Sequence, residues 1–180
     1  RRRAEHARIM RTGGQMRLQA SDASRTDKAG LVILVQFSGS NEHFRTSAQS
    51  FVSMLTQGGY SSNGATGSAK EYFDEQFGGK YNFSFDVTDV VTLSRKRSYY
   101  GKNDPEGFDE RAHKMVMEAC ELVDGKIDFS RYDQDGDGEV DNVFVFYAGL
   151  DEASGASEDH IWAHSWYIKD GAGENLVLDG

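Results

Sequence analysis

The 180-residue chain has one cysteine, Cys120, and one proline, Pro105. A single cysteine excludes an intrachain disulfide framework and a zinc knuckle built on thiolates. No apolar run approaches the roughly 20 residues that a membrane-spanning helix needs, so a transmembrane helix is excluded. The opening Arg1-Arg2-Arg3 is not followed by the apolar stretch of an intact signal peptide. Positive charge is in deficit, 20 Lys and Arg against 29 Asp and Glu, a net charge of −9. That balance argues against nucleic acid as the main partner, because such binding rests on cations that neutralise phosphates. The chain carries no H-E-x-x-H, no G-x-S-x-G, no Walker loop and no G-x-G-x-x-G after a strand. Ser, His and Asp can be combined at will in an acidic, serine-rich sequence. No catalytic residue is therefore assigned within this chain.

What remains is a soluble globular balance, 38% hydrophobic and 27% charged residues. A chain of this length buries roughly 70% of the surface its unfolded form exposes. The charge is unevenly placed. Residues 1–30 carry a balance of +5, residues 31–120 of −2 and residues 121–180 of −12. Residues 1–29 are Arg-rich and without sustained period, and read as a basic leader or the remnant of a pro-segment or linker. Residues 30–180 read as the folded part.

Leu31-Val32-Ile33-Leu34-Val35-Gln36-Phe37 is a continuous β-branched-rich run, the pattern of a strand covered on both faces. Phe44, Ala48, Phe51 and Leu55 recur at helical spacing, with Ser47 as N-cap and Gly58-Gly59 as the stop. Ser68-Ala69-Lys70-Glu71 has capping-box spacing before a second helix. Tyr81, Phe83, Phe85 and Val87 alternate with polar residues as in a half-buried strand, and Val90–Leu93 is a second extended run. Ser94-Arg95-Lys96-Arg97 reads as a solvated turn. Asp104-Pro105-Glu106 predicts a helix start, with Phe108, Ala112, Met115, Val116, Ala119 and Val123 on one face. Cys120 beside that stripe is expected to be a small core residue. Asn142–Tyr147 is another buried-type strand. The order predicts an α/β fold, a twisted mixed sheet with helical crossovers.

The densest chemical signal is Asp133-Gln134-Asp135-Gly136-Asp137-Gly138-Glu139-Val140-Asp141. Calcium takes six to eight oxygen ligands, and a loop wound round the ion presents alternate side chains inward. Asp133, Asp135 and Asp137 fit the first, third and fifth ligand positions. Gly138 fits the sixth, where the chain turns sharply. Glu139 falls where a backbone carbonyl normally ligates, and Asp141 at the ninth position. Phe144 stands at the twelfth, in place of a bidentate glutamate, so a remaining ligand is expected from Asp124, Asp128 or water. Without a cation these carboxylates repel one another. A loop leading into a strand suits structural calcium better than a sensor, which needs two helices to open. His160 and His164 are four apart, but the Ile161-Trp162-Ala163 between them reads as a strand or packed aromatic loop, better suited to core roles than to zinc.

Several segments in order resemble the secreted zinc metallopeptidases related to immune inhibitor A. They are Leu31–Ser38, Gly67–Phe73, Tyr99-Tyr100-Gly101, Phe129-Ser130-Arg131-Tyr132 running into the Asp133–Asp141 loop, Val145–Gly149 and Ile161–His164. The resemblance implies the N-terminal half of a zincin-like catalytic domain with structural calcium. It also implies a secreted precursor that hydrolyses protein or peptide substrates. The catalytic zinc and its H-E-x-x-H helix are expected from residues beyond Gly180. This half would then supply the sheet above the cleft and pack against the remainder of the domain. A strand edge there, with the region after Gly149 as candidate, could pair with an extended substrate. The competing reading is a non-catalytic calcium-dependent binding or adhesion module, which the acidic loop supports equally.

Overall fold

The computed structural model describes residues 25–39 and 41–178. Most of the expected leader, residues 1–24, lies outside the described residues. The remainder of that leader is a correction: β1 spans Thr26–Phe37, so the strand starts ahead of Leu31. Its first residues are held because Thr26 N–H donates to Lys80 O (3.1 Å) and Arg25 Nη2 to Asp74 Oδ1 (2.9 Å).

The apolar run of β1 is the centre of the molecule. Successive strand side chains point to opposite faces. Leu31, Ile33, Val35 and Phe37 therefore enter one core cluster, while Val32 and Leu34 enter a second. α1 (Ala48–Thr56) and α2 (Ala69–Gln76) cover the second face through Phe51, Leu55 and Ala69. Ser68 caps α2 as its spacing predicts. Glu71 N–H donates to Ser68 Oγ (3.3 Å), and Ser68 N–H donates back to Glu71 Oε2 (2.9 Å). Hydrogen bonds from Gly59 N–H, then Ser68 N–H, hold the Glu71 carboxyl below its usual pKa. Ser47 stands at the N-cap of α1, but its hydroxyl bonds to Ser50 Oγ and makes no capping bond.

β2 (Tyr81–Leu93) is one strand, where two extended runs were expected. The two runs join through a bulge: Val32 pairs with Val87 and Leu34 with Val90. Thr88 lies in the bulge, and its Oγ1 accepts Leu34 N–H (3.2 Å) in place of a ladder carbonyl. α3 (Arg97–Gly101) follows. The helix expected from Asp104 begins later, as α4 (Ala112–Val123). The Asp104 carboxylate instead accepts the N–H groups of Glu106 (2.8 Å) and Phe108 (3.1 Å). Aspartate readily closes such a local turn at the expense of helix. α4 covers the first face of β1 with Met115, Ala119, Cys120 and Val123.

β3 (Val143–Tyr147) pairs with β1 on the side away from β2, giving the order β2-β1-β3. The class is α/β, with helices on both faces of the sheet. Both pairings are parallel, where a mixed sheet was expected. Each strand-to-strand connection carries a helix, and such crossovers join parallel strands. β3 is the outer strand of the described sheet: Phe144 is 40% exposed and its other residues are only partly buried, where a buried-type strand was expected. α5 (Ile168–Ala172) packs on α4. No helix among the described residues is long and apolar enough to cross a membrane.

Candidate metal centre

The acidic loop hangs between two anchors. Phe129 and Tyr132 are buried in the first core cluster, and Val143 opens β3. Tyr132 OH donates to Asp86 Oδ2 (2.8 Å), and burial pushes its pKa up to about 12. Asp141 N–H donates to Tyr132 O (3.0 Å) and closes the base of the loop. Gly136 and Gly138 turn the chain at φ 78° and 87°, a region that strains other L-residues.

Within this frame Asp133 organises the backbone. Its Oδ1 accepts Gly136 N–H (2.7 Å) and Asp137 N–H (3.2 Å), and its Oδ2 accepts Gly138 N–H (2.9 Å). These bonds, Gly138's foremost, keep its carboxyl below the usual pKa. Asp135 Oδ1 accepts Asp137 N–H (3.2 Å), and Asp137 Oδ1 accepts Glu139 N–H (2.8 Å). One carboxylate oxygen from each of Asp133, Asp135 and Asp137 lies within 4.8 Å of the others. Calcium–oxygen distances of about 2.3–2.6 Å place two ligand oxygens no more than about 4.6–5.2 Å apart. The three aspartates are thus spaced as ligands of one cation would be.

The other expected residues sit around this cluster. Asp141 Oδ2 accepts Gln134 N–H (2.8 Å), and Glu139 Oε1 accepts from Asn175 Nδ2 (3.4 Å). Asp128 caps Ser130 through both its N–H (3.1 Å) and its hydroxyl (2.6 Å). Asp124 Oδ1 is buried without a hydrogen bond. None of these four side chains joins the 4.8 Å cluster.

A second relationship escapes the sequence. Gln134 points inward from the loop. Its Nε2 donates to Ala29 O (2.8 Å) and its Oε1 accepts Ala29 N–H (3.2 Å), as a strand partner would. No sequence signal joins residues so far apart.

Among the described residues the acidic trio is the one His/Cys/Asp/Glu cluster with metal-ligand spacing. His160 and His164 lie in a non-regular segment. His160 Nδ1 contacts Ser157 Oγ (3.0 Å), and His164 Nδ1 contacts Trp162 O (2.6 Å). His164 also sits 3.9 Å from Asp109 Oδ2, whose side chain is 3% exposed. Burial raises the Asp109 pKa to about 6. Cys120 is a core residue whose thiol burial pushes up to about 12, so it is no nucleophile. The described residues after Gly149 form turns, loops and the short α5, with no strand.

An α/β sheet with helical crossovers and an acidic loop ahead of the third strand is consistent with a metallopeptidase domain. The family model described as the catalytic domain of the immune inhibitor A peptidase M6 family matches residues 16–177. The chain belongs to this family. Immune inhibitor A of Bacillus thuringiensis subsp. alesti is 31% identical over 120 residues, 55% of this chain. The matched region is 18% of that protein, so the chain spans a minor part of its curated relative.

Proposed function

We propose that this chain is the N-terminal part of the catalytic domain of a secreted, zinc-dependent endopeptidase, and that a calcium ion in the Asp133–Asp141 loop stabilises it. The family match over residues 16–177 carries the peptidase reading. Its substrates are proteins or peptides. The described residues hold no set that fits zinc, so no step of hydrolysis is assigned to them. The zinc ligands would come from outside this sequence, which contributes the sheet and its bracing. We assign Thr26 onward to the domain, which the start of β1 supports, and the Arg-rich residues before it to a leader or pro-segment remnant.

The calcium reading rests on the mutual spacing of Asp133, Asp135 and Asp137. The Glu139 carbonyl, Asp141 and water would complete the shell, since calcium takes six to eight oxygens. The ion here is structural: it offsets the repulsion of clustered carboxylates and fixes the link between Tyr132 and β3.

Hydrolysis of a denatured protein substrate by the complete protein tests the enzyme reading. Activity is expected to vanish with a zinc-selective chelator in excess calcium and to return with added zinc. A complete protein with neither zinc nor hydrolysis would leave the calcium-dependent binding module as the better reading.

A further inference from the structure

The basic turn after β2 does not simply face solvent. Arg97 turns inward, its side chain 14% exposed, and pairs with Glu42. Arg95 and Lys96 instead line a cavity of about 540 Å³ with Lys102 and Arg111, which come from the far side of α3. Its lining contains no aspartate or glutamate, although the whole chain carries −9. The floor is built from the paired ends of β1 and β2. Ser38 N–H donates to Leu93 O (3.1 Å), and Ser38 Oγ donates to Ser94 O (2.7 Å). Gly39 turns there at φ +63°, with the Lys96 stem lying over it.

The cations are positioned rather than splayed. Arg95 and Arg111 both lie over the ring of Tyr99, at 5.8 and 5.0 Å from its centroid. Arg111 Nη1 also donates to Tyr99 O (3.3 Å), and Arg111 pairs with Glu110 (2.8 Å). Glu118 lies within electrostatic reach of Arg95, whereas Lys96 and Lys102 form no salt bridge with a carboxylate among the described residues. Lys96 and Lys102, held without counter-ions beside two arginines, raise the positive charge of the site, and an entering anion relieves that repulsion. Stacked guanidiniums present donor forks that match carboxylates. The carboxyl ends of parallel strands are also where open α/β sheets place ligands.

We propose that this cavity binds acidic peptide segments, their Asp or Glu carboxylates meeting Arg95, Lys96 and Lys102. The site is broad and open to solvent, so an extended peptide can lie across it and meet several of the cations at once. The site needs no zinc and no turnover. Its binding assay therefore stands or fails separately from the peptidase reading.

The test measures anisotropy of labelled hexaglutamate with the complete protein, mass spectrometry verifying an intact peptide. Hexaglutamate is expected to bind and a serine–glycine peptide of equal length not to bind. Lys96→Ala or Lys102→Ala is expected to weaken binding about tenfold, the loss of one charge-assisted contact, and the double Lys96→Glu, Lys102→Glu variant to abolish it. The exposed Lys80→Glu, Lys126→Glu pair makes the same charge change elsewhere and is expected to retain binding. Thermal melts of each variant confirm folding. Equal binding of the neutral peptide, equal loss in the Lys80, Lys126 pair, or inorganic phosphate binding as tightly as hexaglutamate would each overturn the proposal.

Discussion

Gln134 and Ala29 are joined through one side-chain amide that occupies both backbone groups of Ala29, donating at 2.8 Å and accepting at 3.2 Å. The acidic loop is thereby fastened to the central strand. Gln134→Ala removes two part-buried hydrogen bonds, each worth about 1 kcal/mol. The expected cost is about 1–2 kcal/mol, read from urea unfolding, with the carboxylates proposed to hold calcium untouched.

Calcium bound to the native loop and not to the unfolded chain stabilises by mass action. At free calcium one hundred times Kd that amounts to about 2.7 kcal/mol. Chelation is therefore expected to lower the melting temperature, and adding calcium back to restore it. In Asp133→Asn the melting temperature is expected to be lower in calcium and to respond little to chelator.

The Ser68 capping box makes a local prediction. Ser68 is 2% exposed and its hydroxyl receives Glu71 N–H. Ser68→Ala is expected to cost about 1 kcal/mol by denaturant melting. Ser68→Thr keeps the capping oxygen and separates lost capping from changed packing.

Asp109 gives a pH dependence of definite sign. Its pKa rises from 3.8 to about 6 because burial penalises the charge, so the native state holds the proton more tightly than the unfolded chain. The favourable contribution of the protonated form is present at low pH and is lost as pH rises through about 6. Asp109→Asn removes this titration and keeps an acceptor for Trp162 N–H (2.8 Å). Relative to the parent, the variant is expected to gain up to about 3 kcal/mol between pH 4 and pH 7. Paired urea melts across that range measure it.

Gly101 lies against another segment's backbone. A Cβ there would stand 2.6 Å from His160 C and 2.7 Å from Ile161 N. Gly101→Ala is expected to destabilise by about 1–3 kcal/mol, the usual cost of overpacking, in thermal unfolding.

The central strand was legible because covering both faces of β1 forces apolar residues at nearly every position. The α2 start was legible because Ser68 and Glu71 satisfy each other's backbone locally. The acidic trio was legible because alternation along one loop already brings Asp133, Asp135 and Asp137 together. Where a residue's role depended on distant chain, the sequence was silent. Nothing marks Gln134 as the partner of Ala29, or Asp109 as the neighbour of His164. Lys102 and Arg111 meet Arg95 and Lys96 only after α3 folds the chain back. The late start of α4 reflects a local contest in which the Asp104 carboxylate captured the N–H groups of Glu106 and Phe108.

The calcium assignment is tested most directly by isothermal titration of the calcium-free complete protein beside its Asp135→Ala variant. The expected result is a saturable heat in the parent that is absent or greatly weakened in the variant. Identical titrations in the two proteins, or no heat in either, would show that the Asp133–Asp141 loop does not hold the ion.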